Sequence, residues 1–139
     1  MNPRYIVDQS ALARLKYPSV GAVLSPLMLA GEVATCSVIE LEILYSARSY
    51  DDLVKIRTTR SRAFHLVSMT QDSLDRAMEV MEELARRGLH RAVGIPDLLI
   101  AAVAERESLT LIHYDADYEF VVAVTGQPMQ WVVPRGTVP

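Results

Sequence analysis

Cysteine is almost absent from this sequence: Cys36 is its only example among 139 residues. A single thiol cannot form an internal disulfide, and it offers no pair of cysteines for a zinc site. The three histidines, His65, His90 and His113, are widely spaced and form no metal-binding cluster in the sequence. These absences argue against a disulfide-stabilised domain and against zinc, and they predict a reducing cytoplasm as the compartment.

Long hydrophobic runs are also missing. No stretch approaches the roughly 20 uncharged residues that a membrane-spanning helix needs. Residues 1–4 lead directly into a strand-like run, without the apolar region of a signal peptide. We therefore expect a cytoplasmic protein with no membrane segment. The length and the 50% hydrophobic content predict one domain over residues 1–139, in which only the tail 134–139 is unstructured.

A surplus of positive charge is missing as well. Fourteen Lys and Arg residues face seventeen Asp and Glu residues, which gives a net charge of -3. This balance argues against a protein that binds polyanions through bulk charge. It still allows a nucleic-acid substrate if a metal ion neutralises some of the acids, because the basic side chains would then face the phosphates.

Short β-like runs alternate with longer helical ones along the chain. We predict strands at 4–7, 33–35, 109–113 and 129–132, and either a strand or an extended connector at 64–67. We predict helices at 10–16, 20–30, 37–48, 51–62, 70–87, 96–106 and 118–124. Strands that are separated by helices need crossover connections. The expected fold is therefore α/β, with a mainly parallel sheet and helices on both of its faces.

Four acidic residues stand in or beside apolar segments: Asp8, Glu42, Asp97 and Asp115. A carboxylate buried without a partner costs several kcal/mol, so it is normally hydrogen-bonded, protonated or neutralised by a cation. Asp8 and Asp115 each follow a predicted parallel strand, and open α/β sheets bind ligands beyond that edge. The pattern predicts that the four carboxylates converge on one divalent metal site.

Three of these acids also have a structural interpretation. Asp8 could cap the helix that begins at Ser10, because Asp is a favoured N-cap. Asp97 could complement the dipole of the helix that it opens. Asp115, together with Asp117, could build an Asx turn and the next helix cap. The joint pattern, rather than any single residue, favours a functional site.

Glu42 has no capping role, because it lies in the middle of an apolar helical segment. Val38, Leu41 and Tyr45 stand at helical spacing from it, which predicts that this face points inward. Glu40 projects about 200° around the same helix. We therefore expect Glu42 to point into the protein and Glu40 to point outward.

Four segments, in this order, resemble the signature of PIN-domain ribonucleases, and most closely that of the VapC toxins of bacterial type II toxin–antitoxin pairs. They are YIVDQSAL, CSVIELEILYSAR, IPDLLIAAVAE and LIHYDADYEFVVAVTGQPMQWV. The resemblance extends from Arg4 to Gly136. Gln9 and Ser46 depart from the small residue and the glycine that are common in this family, but neither departure removes an acidic residue.

The resemblance implies a three-layer α/β/α PIN domain. It also implies metal ligands at Asp8, Glu42, Asp97 and Asp115, with Asp117 as an auxiliary acid and Ser10 as a nearby polar contact. Oxygen ligands favour Mg²⁺, for which Mn²⁺ can substitute. The implied activity is cleavage of single-stranded RNA, such as tRNA, by a metal-activated water. The implied partners are a VapB-like antitoxin and a second copy of the chain, in a heterotetramer or larger assembly.

Substrate and partner surfaces are predicted from basic and apolar groups. One basic group contains Arg57, Arg60 and Arg62, and a second contains Arg86, Arg87, His90 and Arg91. The second group is the better candidate for RNA phosphates because it leads to Asp97, although either group could be a solvated helix end. The three histidines are expected to be bystanders. For an antitoxin helix, we expect an apolar groove near Leu12, Leu15, Leu27 and Leu29.

Two alternatives come from other classes of protein. A PIN-like fold without activity could use the same acidic pocket only to bind a partner. A phosphoacceptor signalling domain fits less well, because Gln9 stands where such a domain has a second acid and no lysine follows Lys55.

Overall fold

A computed structural model of the protein describes residues 2–139. Five parallel strands form one sheet in the order β3-β2-β1-β4-β5. The strands are β1 Tyr5–Val7, β2 Val33–Thr35, β3 His65–Leu66, β4 Thr110–His113 and β5 Met129–Trp131. The predicted parallel sheet is confirmed, and each strand lies within a segment predicted from the sequence.

Within the described residues the helices number seven. They are α1 Gln9–Leu12, α2 Pro18–Leu29, α3 Ser37–Tyr45, α4 Tyr50–Ala63, α5 Gln71–Arg86, α6 Ile95–Arg106 and α7 Asp117–Thr125. α1 is one helical turn long and therefore shorter than predicted. Residues 13–16, which were expected to continue the helix, form a non-helical turn segment instead. Pro26 lies inside α2 and does not end it.

Two hydrophobic clusters cover the two faces of the sheet. Ile6 and Leu111 belong to the cluster that α3, α5, α6 and α7 cover. Val7 and Ile112, the next residue of each strand, belong to the cluster that α1 and α2 cover. This alternation follows from the pleat of a strand, which sends successive side chains to opposite faces. The result is the expected three-layer α/β/α arrangement.

The strand order reverses between β1 and β4. From β1 the chain builds β2 and β3 on one side, and it then crosses to build β4 and β5 on the other. Val7 and Ile112 are register partners near the carboxyl ends of these two strands. Loops that leave such neighbouring strands in different directions open a crevice, which is the usual ligand site of an open α/β sheet.

The tail 134–139 was expected to be unstructured, and several of its residues are hydrogen-bonded to the rest of the domain. The tail forms neither helix nor strand, but the Tyr114 hydroxyl donates to the carbonyl of Val138 at 2.7 Å and accepts the N–H of Gly136 at 2.9 Å. Arg14 Nε donates to the carbonyl oxygen of Pro139 at 2.7 Å. These partners are distant in sequence, so the composition of the tail gave no sign of them.

Across residues 2–139, no helix combines the length and the apolar character that crossing a membrane requires.

Candidate metal centre

Asp8 follows β1 directly and is 4% exposed. Its Oδ2 accepts the backbone N–H of Ser10 at 3.0 Å, so Asp8 is the N-cap of α1. Its Oδ1 accepts the hydroxyl proton of Tyr118 at 3.0 Å. The capping role and the site role are therefore compatible, because each uses a different oxygen of one carboxylate.

Three further carboxylates come together beside Asp8. Asp97 lies in the first turn of α6, Asp115 follows β4, and Asp117 begins α7. One oxygen from each of these three lies within 4.8 Å of the others. The Asp117 N–H donates to Asp115 Oδ1 at 2.9 Å, which is the predicted Asx turn. Three oxygen donors at this spacing can contact one hard divalent cation.

Burial and neighbouring negative charges raise the pKa of two of these carboxyl groups, Asp97 and Asp117. Burial, followed by the charges of Asp8 and Asp115, raises the pKa of Asp97 to about 7, against an ordinary value of 3.8. Partial burial and the charge of Asp115 also raise the pKa of Asp117. Near neutral pH the site therefore favours either a bound proton or a bound cation.

Glu42 lies at the edge of this group. Its side chain is largely exposed on α3, and it is not one of the three acids with the closest oxygens. Burial and the charge of Asp8 nevertheless raise the pKa of Glu42, and its own charge contributes to the raised pKa of Asp97. Glu42 is thus part of the electrostatic environment of the centre.

The predicted orientation of the two α3 glutamates is wrong. Leu41 and Tyr45, which were expected to mark the inward face around Glu42, are 66% and 94% exposed. Glu40, expected to point outward, is half-buried and accepts two hydrogen bonds from Arg60 at 2.8 Å and one from Thr35 Oγ1 at 2.5 Å. Arg60 is twenty residues away in sequence, so helical spacing within α3 could not reveal this partner.

Burial alone would raise the pKa of Glu40. The hydrogen bonds from Arg60 and Thr35 outweigh that effect, and the pKa is lowered. Glu40 is therefore an ionised, paired carboxylate. It differs in this respect from Asp97, which has no cationic partner among the described residues.

Sequence reasoning missed Tyr118. Its side chain is fully buried, and its hydroxyl lies 3.0 Å from Asp8 Oδ1 and 3.3 Å from Asp97 Oδ1. Burial and the charges of the two aspartates raise its pKa well above the usual value, so the hydroxyl keeps its proton. The available signal was a tyrosine directly after Asp117 at the start of an apolar helix, where an apolar side chain would serve the core.

His113 is 2% exposed, and its ring centroid lies 4.8 Å from that of Tyr118 and 5.0 Å from that of Trp131. Its Nδ1 accepts the backbone N–H of Asp115 at 3.2 Å. Burial lowers its pKa. These contacts make His113 a packing residue beneath the centre, and that it takes no part in the chemistry stays a prediction.

The proposed substrate residues are differently placed. Ser10 Oγ accepts the backbone N–H of Tyr114 at 2.9 Å and so connects α1 to the loop after β4. Arg86 forms ion pairs with Glu82 and Glu83, and Arg87 also pairs with Glu83. Arg91 is exposed.

Comparison with known proteins gives consistent results. A family model for the PIN domain matches residues 5–122. Ribonuclease VapC21 of Mycobacterium tuberculosis is 44% identical over 137 residues, which cover 99% of each chain. Ribonuclease VapC51 of the same organism is 42% identical over 135 residues, which cover 97% of each chain.

Solved structures with the same fold include toxin–antitoxin complexes. The DNA-bound VapBC of Salmonella typhimurium matches with a TM-score of 0.75 and 14% identity, over 94% of this chain and 99% of that one. VapBC-1 from nontypeable Haemophilus influenzae matches with a TM-score of 0.73 and 16% identity, over 95% and 98%. At these identities the likeness shows the fold, which agrees with the predicted three-layer arrangement.

Proposed function

The chain belongs to the PIN domain family and, within it, to the VapC ribonucleases, and on this basis we propose that it is a metal-dependent endoribonuclease that acts as the toxin of a type II toxin–antitoxin pair. The observation that carries the proposal is the group of oxygens from Asp97, Asp115 and Asp117 within 4.8 Å of one another. Asp8 lies next to this group, hydrogen-bonded to the same tyrosine that approaches Asp97.

The donor set fits Mg²⁺, with Mn²⁺ as a substitute. All the candidate ligands are carboxylates (Asp8, Glu42, Asp97, Asp115 and Asp117), and hard oxygen ligands suit these ions better than they suit zinc. When bound, such an ion lowers the pKa of a water and stabilises charge on the scissile phosphate. Because the pKa of Asp97 is raised to about 7, we expect metal binding to displace a proton from this carboxylate near neutral pH.

The proposed substrate is single-stranded RNA, such as an exposed loop of a tRNA. Ser10, Arg86, Arg87 and Arg91 remain the proposed contacts. Of the three arginines, Arg91 is the best candidate for contact with RNA phosphates. It is exposed and shortly precedes α6, which carries Asp97. Arg86 and Arg87 are already paired with acids of α5 and would have to give up those pairs to hold a phosphate.

The proposed partner is a VapB-like antitoxin, supported by the family and by structural neighbours that are VapBC complexes. The expected surface on α1 and α2 offers little apolar area, because Leu12, Leu15 and Leu27 are packed against the protein's own core. Of that set, Leu29 is open to solvent, at 89% exposure.

A groove of about 590 Å³ between α3 and α4 is better suited to the antitoxin. Its lining combines exposed Leu41 and Leu66 with Leu44, Phe64 and Arg57. An amphipathic antitoxin segment can place its apolar side chains there. We propose that an arginine of the same antitoxin pairs with the carboxylates of the acidic centre. We also propose that the chain forms a homodimer and that this dimer forms a heterotetramer or larger complex with the antitoxin. The proposed compartment is the cytoplasm.

The deciding experiment is cleavage of a labelled single-stranded RNA by the purified chain, with Mg²⁺ or with excess EDTA. We expect cleavage that depends on the metal and is lost in Asp97→Asn and Glu42→Gln. Glu79→Gln, an exposed glutamate on α5 that pairs with Arg76, is the matched control and should cleave normally. Cleavage that persists in EDTA contradicts the metal mechanism. A folded, metal-binding protein that cuts no RNA would support the alternative of an inert partner-binding PIN fold.

Co-expression tests the toxin role. The chain alone should arrest growth, and the product of the neighbouring small open reading frame should suppress the arrest and copurify with it. A chain that is harmless, monomeric and copurifies with nothing contradicts the toxin role, even if it cleaves RNA.

A further inference from the structure

A buried hydroxyl group joins two carboxylates of the centre. Tyr118 Oη lies 3.0 Å from Asp8 Oδ1 and 3.3 Å from Asp97 Oδ1. Asp8 lies at the end of β1 and Asp97 in the first turn of α6, so the hydroxyl connects two elements that approach the centre from different parts of the chain. The side chain is completely buried, so it does not touch an RNA substrate.

The core does not need this hydroxyl. The ring of Tyr118 belongs to the hydrophobic cluster beneath α5 and α6 and packs on His113, and phenylalanine would fill the same space. A buried hydroxyl costs free energy unless it is hydrogen-bonded. In the described structure the hydroxyl's partners are the carboxylates of Asp8 and Asp97. We therefore expect its removal to change the centre and not the packing of the core.

A tyrosine hydroxyl has one proton, and Tyr118 shares it between Asp8 Oδ1 and Asp97 Oδ1 in a three-centre hydrogen bond with the shorter arm to Asp8. The Asp8 carboxylate is held at both oxygens, by Ser10 N–H on one and by Tyr118 on the other. With both oxygens held, the carboxylate is fixed in rotation. Asp97 is held less firmly, by the longer contact to the same hydroxyl.

We propose that Tyr118 is a positioning residue, whose hydroxyl holds the carboxylates of Asp8 and Asp97 at a fixed separation and orientation for the divalent cation. The inference rests on the proposed metal-dependent function and extends it to a residue that does not touch the metal. Hydrogen-bond partners of ligating groups commonly change metal affinity or activity by about 10- to 100-fold when they are removed.

The test is the dissociation constant for Mn²⁺, measured by isothermal titration calorimetry on the metal-free protein. Tyr118→Phe should bind Mn²⁺ about 10- to 100-fold more weakly than the unmodified chain. In RNA cleavage, its curve of rate against Mn²⁺ concentration should move to higher concentration by the same factor, with a maximum rate within a few-fold of the original.

Tyr114→Phe is the matched control. It also removes a tyrosine hydroxyl near the centre, but the partners of that hydroxyl are backbone groups of the tail. It should lower the melting temperature and leave the Mn²⁺ dissociation constant unchanged. A purely structural role for Tyr118 predicts the same outcome for Tyr118→Phe, which would overturn the inference.

A second variant tests the donor directly and does not depend on Tyr118→Phe folding. 4-Aminophenylalanine at position 118 keeps the ring and keeps N–H donors at the same place. It should bind Mn²⁺ with nearly the original dissociation constant. If this variant is folded and binds Mn²⁺ as weakly as Tyr118→Phe, the inference is overturned. If Tyr118→Phe does not fold, the inference is overturned when the 4-aminophenylalanine variant has lost most of the Mn²⁺ affinity of the unmodified chain.

The two proposals fail in different ways. If the unmodified chain binds no Mn²⁺ or Mg²⁺, the metal-dependent function itself is wrong. If the unmodified chain and Tyr118→Phe bind equally well, only the role of Tyr118 is wrong.

Discussion

Two acidic sites lie along the carboxyl edge of the sheet, and they differ in what neutralises them. At the end of β2, Glu40 accepts hydrogen bonds from Thr35 and, through both of its oxygens, from Arg60. Near the ends of β1 and β4, Asp8 and Asp97 share the hydroxyl proton of Tyr118, and Asp8 and Asp115 each accept a backbone N–H. All of these donors are neutral.

The pKa shifts of the two sites have opposite signs. The pKa of Glu40 is lowered although the group is half-buried, because Arg60 supplies the opposite charge. The pKa of Asp97 is raised to about 7, because burial is joined by further negative charges. One acid is thus paired with a cationic side chain, while Asp97 has no such partner among the described residues. This difference supports the proposed cation site at Asp97.

The largest expected difference between the two sites is in activity. Asp97→Asn should reduce RNA cleavage by at least about 100-fold, since it removes a proposed ligand where loss of even a supporting partner costs about 10- to 100-fold. The metal-free variant should be as stable as the original chain or more stable, because one repelling charge is gone. Cleavage rates and melting temperatures in EDTA measure the two effects.

The Glu79→Gln variant controls for the loss of a charge at the surface of α5. A large loss of stability in metal-free Asp97→Asn would contradict the account, because it would mean that the carboxylate supports the fold.

A second expected difference concerns stabilisation by metal. A ligand that binds only the folded state at 100 times its dissociation constant stabilises it by about 2.7 kcal/mol. Mg²⁺ or Mn²⁺ should therefore raise the melting temperature of the original chain and of Glu40→Gln alike. Asp97→Asn should respond much less. Equal responses of all three proteins would show that the cation binds elsewhere.

The third expected effect is a loss of stability at the paired site. Glu40→Gln leaves the guanidinium of Arg60, which is 13% exposed, without its charged partner. The free energy of unfolding should fall by about 1–3 kcal/mol, the usual cost of an unpaired buried polar group. Cleavage by the remaining folded protein should stay within a few-fold of the original rate. Urea unfolding and cleavage assays measure both quantities.

The double variant Glu40→Gln with Arg60→Met distinguishes a lost pair from a lost side chain. It should recover part of the stability, because the unpaired charge is removed as well. If Glu40→Gln instead abolishes cleavage without unfolding the protein, Glu40 belongs to the catalytic centre and the contrast between the two sites is wrong.

The sequence predicted where the acidic residues of the centre lie better than it predicted the side chain that hydrogen-bonds to them. Asp8 and Asp115 were located by the strand ends before them, and Asp97 by the apolar helical segment that it opens, all of which are local signals. Whether the predicted acids act as ligands stays a prediction. Tyr118 contacts Asp8 across 110 residues, and no local pattern marks that contact.

The predicted orientation of Glu40 and Glu42 on α3 was wrong for the same reason, because it depends on a contact with a residue distant in sequence. Helical spacing gives the angle between Glu40 and Glu42, but not which side of the helix meets the rest of the protein. The exposed Leu41 and Tyr45 made the wrong side look like the core side. The deciding feature was Arg60 on α4, whose position depends on how the two helices pack.

The smallest expected effect is a difference in pH dependence between the two sites. The folded pKa of Asp97 is about 7, against an ordinary value of 3.8, so between these values the folded state holds a proton that the unfolded state has released. Through this group, the stability of the metal-free protein falls as the pH rises towards 7.

Glu40 has a lowered pKa, so its contribution to stability is present above its ordinary pKa of 4.5 and is lost as the pH falls through the pKa of the folded state. Urea unfolding in EDTA between about pH 5 and 8 should therefore show a decline for the original chain that is much smaller in Asp97→Asn and is retained in Glu40→Gln. Parallel curves for the original chain and Asp97→Asn would show that another group causes the decline.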